Sequence, residues 1–210
     1  MKKKSLFSVL STAVFLLSLA GAGIAAEPIK LGAYFDLSGP ASSIGTPTML
    51  VARMVVDKIN KEGGINGRLL QLVEGDTEGD PTKAVMVVKK FIEVDKVAAI
   101  IGPTRTDTGM ASKPLVEQNQ IPTFMTVGGD PVVMVKPYRW TFKSPQRSSV
   151  AVKKIYGYMK KAGIKKVALI TGADGFGQDG KNWLEKLAGD FGISIVGKEN
   201  FQPRDTDMTA

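Results

Sequence analysis

Apolar positions along the chain alternate between two spacings, one typical of strands and the other of helices. Short apolar runs predict strands at 29–35, 69–73, 97–101, 122–126, 139–143, 167–171 and 193–199. Between them, apolar residues recur at helical spacing and predict helices at 49–61, 81–92, 106–118, 146–162 and 178–191. Strands separated by helices indicate an α/β fold, with parallel sheets flanked by helices on both faces.

Glycine and proline mark the boundaries of these elements. Gly63-Gly64 follows the first predicted helix, as a C-terminal cap would. Asp80 before Pro81 has the order of an N-cap followed by proline at the first helical position. The segment 38–45 is rich in Gly, Pro and Ser and is interpreted as a loop. Ser144-Pro145 interrupts the chain after the fifth strand, so we expect two domains, 27–143 and 144–210.

The first 26 residues have the three-part layout of a secretory signal peptide. Lys2 to Lys4 are followed by an apolar run to Leu19 and then by Gly and Ala, with the expected cut after Ala25 or Ala26. The alternative is a membrane anchor, but the apolar run is short for a span of about 20 residues. Because the chain has no Cys, a lipoprotein is excluded. We expect a cleaved, exported, periplasmic protein.

The amino-acid composition excludes several kinds of catalytic and metal-binding site. The chain has 210 residues, no His and no Cys, which removes His-assisted serine catalysis, the commonest transition-metal ligand and disulfides. Net charge is +8, and the signal segment carries three Lys and no acid, so the remainder carries +5. Its Lys pairs fall near predicted helix ends, which indicates solvated surface rather than a nucleic-acid face. We expect no cofactor, no metal and no nucleic-acid partner.

A glycine-rich turn at 175–180 matches the Gly-x-Gly-x-x-Gly pattern of dinucleotide-binding proteins, with Glu199 about 20 residues on. Tyr156 and Lys160 also give the Tyr-x-x-x-Lys spacing of short-chain dehydrogenases. However, this pair precedes the glycines, and Thr171 to Asp174 separate the strand end from the first glycine. An NAD-dependent dehydrogenase therefore remains only an alternative, and a strand-to-helix turn above a cleft is the preferred interpretation.

Several spaced motifs of the first half occur in a recognisable order: 36–41 leading to Gly45, 60–67 after the first helix, Asp76, Asp80-Pro81 and 100–103 leading into 104–109. This resembles the periplasmic Leu/Ile/Val-binding proteins, which are type I solute-binding proteins of ABC transporters. The aromatic-Gly pair Phe176-Gly177 also fits. The resemblance runs from Pro28 onward, whereas family chains are about twice as long, so the sequence looks like an N-terminal fragment.

The resemblance implies a type I periplasmic-binding-protein fold of two α/β lobes joined by a hinge, with the second lobe incomplete. It implies a monomeric, non-enzymatic protein that captures a small amino acid or a related carboxylate and delivers it to the permease of an ABC importer. A ligand sensor on the same fold is the nearest alternative. The resemblance does not identify the ligand.

Topology supports a site independently, since open parallel sheets bind ligands at the carboxyl ends of their strands. Thr106 lies there, at a helix N-terminus whose N–H groups suit a carboxylate; the alternative is a plain N-cap. Thr104 is included as a ligand-binding candidate in the same segment.

The family pattern implies the remaining candidates. Gly128 matches a carbonyl that meets the ligand ammonium, and Asp130 stands at the position of a hydroxyl. Asp130 could pair with a ligand ammonium, repel a carboxylate or shape an Asp-Pro turn. Ile44 matches a pocket-lining position and Phe176 an aromatic cover, with loop packing and core filling as alternatives. Arg105 and Gly79 occupy positions at which some relatives have a disulfide.

Overall fold

The computed structural model describes residues 27–202 and Asp205. The predicted signal peptide, residues 1–26, lies outside the described residues. Within the described part, no helix is long and apolar enough to cross a membrane.

Seven strands and six α-helices alternate through residues 27–202. The strands are β1 (Ile29–Phe35), β2 (Leu70–Asp76), β3 (Ala99–Ile101), β4 (Thr123–Met125), β5 (Thr141–Lys143), β6 (Lys166–Gly172) and β7 (Ser194–Phe201). The helices are α1 (Ser42–Lys61), α2 (Pro81–Lys90), α3 (Thr106–Gln118), α4 (Pro131–Met134), α5 (Ser148–Lys161) and α6 (Gly175–Ala188). A π-helical turn, Phe91–Asp95, extends α2, and a 3-10 turn, Gly189–Phe191, extends α6.

The strands form two parallel sheets, which confirms the predicted fold class. The larger sheet has the order β2-β1-β3-β4-β5, and the smaller consists of β6 and β7 with an irregularity between Val167 and Ala168. We call residues 29–143 the five-stranded unit and residues 148–201 the two-stranded unit. Because all strands of the larger sheet are parallel, their carboxyl ends lie along one edge.

Alternate side chains of β1 enter two different cores, as expected for a sheet with helices on both faces. Tyr34 packs with Phe91 and Val88 on the α2 side. Ala33 and Phe35 pack with Met49 of α1 on the opposite side. A separate core in the two-stranded unit contains Val152, Tyr156, Leu187, Ala188 and Ile193. The first core also reaches the base of the strand edge, because it includes Met125 and Val127 at the end of β4.

Two helices begin earlier than predicted, and glycine explains both differences. Helix α1 begins at Ser42 rather than 49, so the expected loop at 38–45 is partly helical. Helix α6 begins at Gly175 rather than 178. A Cβ at Gly45 would collide with the carbonyl of Asp36, and one at Gly177 with the carbonyl of Gly172. These glycines therefore permit close contact between a helix and the preceding strand end, whereas the sequence pattern indicated a loop at 38–45 and a strand-to-helix turn at 175–180.

The N-cap predicted for α2 is confirmed: the Asp80 side chain accepts the N–H groups of Thr82 and Lys83 at 2.7 and 2.9 Å. Asp130 similarly precedes Pro131, but here the chain forms the four-residue helix α4. Asp130 is in a helical conformation, and no hydrogen bond from its side chain caps the helix. The Asp-Pro pair therefore begins a short helix rather than a simple turn.

A methyl group at Gly32 should destabilise the protein, whereas one at Gly157 should stabilise it. The Cβ at Gly32 would lie 2.6 Å from Cδ2 of the buried Phe91 ring, while that at Gly157 meets nothing within 4 Å. We expect Gly32→Ala to lower the free energy of unfolding by about 1–3 kcal/mol. Gly157→Ala, inside α5, should raise it by about 0.5–1 kcal/mol. Urea unfolding of both variants tests this, and equal effects would contradict the packing described.

Candidate functional site

The carboxyl edge of the five-stranded sheet brings most of the predicted site residues together. Thr106 begins α3 after β3, and its Oγ1 accepts the N–H of Gly129 at 3.0 Å, in the loop after β4. Phe176 of α6 covers that loop, because a Cβ at Gly128 would lie 2.5 Å from its ring. A Cβ at Gly175 would lie 3.3 Å from Cγ2 of Thr106. The two units therefore touch across a cleft at this edge.

Two other predicted residues lie in segments that follow β1 and β3 at the same edge of the sheet. Thr104 Oγ1 accepts the backbone N–H of Asp36 at 3.0 Å and so joins the loop after β3 to the end of β1. Ile44 lies in the first turn of α1, and 62% of its surface is exposed. An exposed apolar side chain beside the sheet edge is available to contact a ligand or a neighbouring segment.

Thr106 is the first helical residue of α3, and the N-cap position is taken by Arg105. The Thr106 side chain is nearly fully buried. A hydroxyl has one donor and two acceptor positions, so accepting from Gly129 leaves its hydrogen free to be donated. The Thr106 hydroxyl therefore accepts a hydrogen bond from the loop after β4 and can also donate one at the N-terminus of α3.

Polar contacts join the two units at the entrance of α6. Asp107 Oδ1 accepts the N–H of Gly175 at 2.6 Å. Arg105 Nη2 donates to Asp174 Oδ2 at 3.2 Å and lies 3.5 Å from Asp107 Oδ2. Asp174 also caps α6 by accepting the N–H of Gly177 at 2.8 Å. The N-termini of α3 and α6 therefore meet through two carboxylates and one guanidinium.

Asp130 belongs to a buried charged cluster at the inner end of the cleft. Its Oδ1 lies 3.4 Å from Nζ of Lys143, and the exposed fractions of these side chains are 0% and 3%. Its Oδ2 accepts the N–H of Ser148 at 3.1 Å. Its own N–H donates to Asp179 Oδ2 at 2.9 Å, and that oxygen also accepts the Ser148 hydroxyl at 2.5 Å. The ammonium that the structure places beside Asp130 is thus that of Lys143.

A second buried carboxyl lies behind the entrance contacts. Asp36 Oδ1 accepts the Thr77 hydroxyl at 2.5 Å, while its Oδ2 is buried without a hydrogen-bond partner. Burial raises the pKa of the Asp36 carboxyl, against the lowering effects of the Thr77 hydroxyl and the Arg105 charge. A Cβ at Gly79 would lie 3.1 Å from Asp36 Oδ2 and 3.5 Å from Cδ of Arg105. Gly79 and Arg105, the two positions that the resemblance associated with a disulfide, are therefore adjacent.

Asp76 holds the loop that leads from β1 towards Ile44. It accepts the N–H of Leu37 at 2.9 Å and the hydroxyl of Ser38 at 2.7 Å. Partial burial alone would raise the pKa of Asp76, but these hydrogen bonds and one from the N–H of Glu78 outweigh it and hold the pKa below its usual value. The ionised carboxylate is thus favoured by the fold.

Beside Phe176 lies a largely apolar cavity of about 570 Å³. It faces both units, and its lining includes Ala41, Arg105, Ile170, Phe176, Leu184 and Phe201. Because Arg105 and Asp174 border it, the cavity combines an apolar wall with the charged entrance.

Sequence reasoning missed the residues that connect the two units. Asp107, Asp174, Asp179, Lys143 and Ser148 were not among the candidates. The available signal was a pair of Asp residues at the glycine-rich segment 175–180: Asp174 directly precedes it and Asp179 lies between its last two glycines. Within the described residues, this segment forms the first turns of α6 and its preceding cap, and its glycines serve close packing.

Two parallel α/β units that meet at a polar cleft beside their strand ends have the architecture found in two-lobed solute-binding proteins. The family model described as periplasmic binding protein matches residues 28–210, so this chain belongs to the periplasmic binding protein family. The fold is that of the type I members, and the family is non-enzymatic.

Individual relatives agree with this assignment. The chain is 25% identical over 203 residues to the Leu/Ile/Val-binding protein BraC3 of Rhizobium johnstonii, covering 95% of this chain and 54% of that protein. It is 27% identical over 192 residues to the Leu/Ile/Val-binding protein homolog 4 of Brucella abortus, covering 87% and 46%. The chain therefore spans about half the length of the curated relatives it matches.

Solved structures show the same fold. The substrate-binding protein LivJ of Streptococcus pneumoniae, in complex with isoleucine, superposes with a TM-score of 0.78 at 27% identity, covering 86% of this chain and 51% of that chain. A solute-binding protein of R. palustris in complex with benzoate superposes with a TM-score of 0.76, covering 86% and 50%. At 21% identity, the second likeness shows the fold alone.

Acid should remove the stabilising effect of Asp76. A carboxyl whose folded pKa is lowered stabilises the protein above its unfolded pKa of about 3.9, and this contribution disappears as pH falls through the folded pKa. We expect Asp76→Asn to cost about 1 kcal/mol near neutral pH, because the residue is partly exposed. The difference between parent and variant should shrink below about pH 4. Urea unfolding across pH measures it, with Asp190→Asn at an exposed position as the same-charge control; a pH-independent difference would contradict the assignment.

Asp130 and Lys143 should be strongly coupled in stability. Removing one partner of a buried ion pair leaves an uncompensated charge, so Asp130→Asn should lower the free energy of unfolding by about 3 kcal/mol. The double variant Asp130→Asn/Lys143→Met should lose less than the sum of the two single variants, with a coupling of about 1–3 kcal/mol. As a control, Glu185→Gln breaks the solvent-exposed pair with Lys198 and should leave the free energy of unfolding nearly unchanged. Additive losses would show that the buried pair contributes nothing specific.

Proposed function

We propose that this chain forms the ligand-capturing part of an exported solute-binding protein that binds a small amino acid or a related carboxylate. The observation that carries the proposal is the meeting of Thr106, at the N-terminus of α3, with the Gly128–Asp130 loop and Phe176 at one sheet edge. Parallel sheets bind ligands at this edge. Membership of a solute-binding family supports the same conclusion.

The ligand carboxylate is proposed to bind at the N-terminus of α3. The first N–H groups of a helix have no partner within the helix, and the helix dipole favours negative charge there. The Thr106 hydroxyl adds a donor to these groups. The nearby Arg105 guanidinium adds positive charge, although Asp107 and Asp174 offset it.

The rest of the ligand is proposed to lie between Ile44, Thr104, Gly128 and Phe176. Among the described residues, the Gly128 carbonyl accepts a single long contact, 3.5 Å from the Ser148 hydroxyl, so it can accept from a ligand ammonium. Asp130 is already paired with Lys143, and we propose that it supports the loop rather than meeting the ammonium directly. The Phe176 ring is 57% exposed and can cover an apolar side chain.

We further propose export by residues 1–26 and delivery of the ligand to the permease of an ABC importer. Leu/Ile/Val-binding relatives and the isoleucine complex of LivJ support an amino-acid ligand. Benzoate is included in the test because the proposed ligand class extends to carboxylates related to amino acids. Delivery is tested by comparing uptake of the radiolabelled ligand in the source cells with and without the gene.

Binding should be saturable, without turnover, and dependent on Thr106. Calorimetric titration with leucine, isoleucine, valine and benzoate identifies the ligand. A hydrogen bond to a charged group is worth about 1.5–3 kcal/mol, so Thr106→Ala should weaken binding by roughly tenfold or more. Thr106→Ser keeps the hydroxyl and should restore most of the affinity. The control Thr82→Ala, at an exposed position of α2, should have no effect. Chemical turnover, or unchanged affinity in Thr106→Ala, would contradict the proposal.

A further inference from the structure

The loop Gly128–Asp130 is held by consecutive backbone N–H groups from two directions. Gly129 donates to Thr106 of the five-stranded unit at 3.0 Å. Asp130 donates to Asp179 of the two-stranded unit at 2.9 Å. The Gly128 carbonyl and the Gly129 N–H belong to one planar peptide unit, so the bond to Thr106 orients that carbonyl. The bond from Asp130 to Asp179 fixes the next peptide unit and so limits rotation about Gly129 between them. The position of the loop therefore depends on a residue that lies 49 positions later in the chain.

Asp179 makes these contacts in a buried setting. Its exposed fraction is 7%, and that of Ser148 is 9%. One oxygen, Oδ2, accepts both the Asp130 N–H and the Ser148 hydroxyl. A buried donor that loses its acceptor is costly, so both donors favour the arrangement in which Asp179 is in place.

The Asp179 carboxylate also joins the two units. Asp179 is carried by α6, which packs on β6, whereas Asp130 follows β4 of the larger sheet. Ser148 begins α5, and its N–H returns to Asp130 Oδ2 at 3.1 Å. Asp130, Ser148 and Asp179 thus form a closed ring of three hydrogen bonds at the point where the chain passes from one unit to the other.

We propose that Asp179 is a positioning residue for ligand binding, which sets the Gly128–Asp130 loop in its binding geometry only when the two units are together. This inference rests on the proposed function for its effect on affinity. Its effect on the arrangement of the two units does not depend on the identity of the ligand. Asp179 couples the shape of the loop to closure of the cleft because the Asp130 N–H and Asp179 separate if α6 moves away.

Three substitutions separate this role from general stabilisation. Asp179→Ala removes the acceptor and should weaken leucine or benzoate binding, whichever the parent binds, by about tenfold. Asp179→Asn retains an oxygen acceptor and should lose only a small part of the affinity. Ser148→Ala removes one of the two donors, keeps the Asp130 bond and should have an intermediate effect. Asp190→Asn, an exposed acid beyond the end of α6, is the control for charge.

The arrangement of the units is measured with spin labels. The chain has no Cys, so Lys61→Cys and Lys160→Cys introduce two unique label sites at exposed positions of α1 and α5. Pulsed electron spin resonance then gives the distance distribution between the units, with and without leucine or benzoate. The proposal requires a longer or broader distribution in Asp179→Ala and a parental one in Asp179→Asn and Asp190→Asn.

Each outcome of the distance and binding measurements supports or overturns a stated proposal. A parental distance distribution in folded Asp179→Ala, even with a lower melting temperature, would show a merely structural role and overturn the proposal. If Asp179→Ala does not fold, Asp179→Ser, whose shorter side chain withdraws the acceptor from the Asp130 N–H, must give the longer or broader distribution, and its failure to do so also overturns the proposal. If the parent binds neither leucine nor benzoate, this result counts against the proposed ligand class, while the label distances still decide the role of Asp179.

Discussion

Parallel strand pairing is the constraint on which the cleft depends. Because β1, β3 and β4 run in one direction, the segments that follow them emerge along a single edge. Glycine then sets how closely other backbone approaches that edge. Gly45 and Gly177 let α1 and α6 begin directly against strand ends, and Gly128 lies beneath the Phe176 ring. A side chain at any of these positions would force the layers apart, so the cleft is defined by missing Cβ atoms as much as by the polar groups that line it.

Most charged side chains of the cleft form ion pairs with one another. Lys143 directs its ammonium to Asp130 and to the carbonyls of Pro145 and Gln146, at 3.2 and 2.6 Å. Because both side chains are almost fully buried, their mutual attraction and their hydrogen bonds must offset a large desolvation cost. Arg105 and Asp174 are 17% and 24% exposed, so water and salt weaken their attraction. In the proposed binding mode, the ligand therefore meets mainly neutral groups, the Thr106 hydroxyl and the Gly128 carbonyl, whose directional hydrogen bonds favour shape selection over simple charge attraction.

Much of the architecture could be predicted because buried parallel strands are continuous apolar runs and because Asp80-Pro81 has a local capping signature. The first residues of α1 and α6 could not be predicted, because a glycine-rich segment fits either a loop or a helix start packed closely against a strand end. For the proposed site, topology alone predicted that Thr106 lies at the carboxyl edge of the sheet, where the structure places it. The bond between Asp179 and Asp130 joins residues 49 positions apart and leaves no periodic or local pattern, so only the folded arrangement shows it.

If the two units open and close around a ligand as proposed, the contacts across the cleft determine how much of that closure the ligand must itself supply. A ligand shifts an equilibrium between open and closed arrangements only through its differential affinity for them. Cross-unit bonds at Asp107, Asp174 and Asp179 favour the closed arrangement irrespective of the ligand. Stronger cross-unit bonds increase the population of the closed arrangement and so raise the apparent affinity for the ligand. They also leave a smaller change of arrangement on ligand binding for a membrane partner to detect. The partly solvated contact of Arg105 with Asp174 can therefore be weakened by salt to adjust this balance, while the buried contacts of Asp179 preserve the geometry of the loop in the closed arrangement.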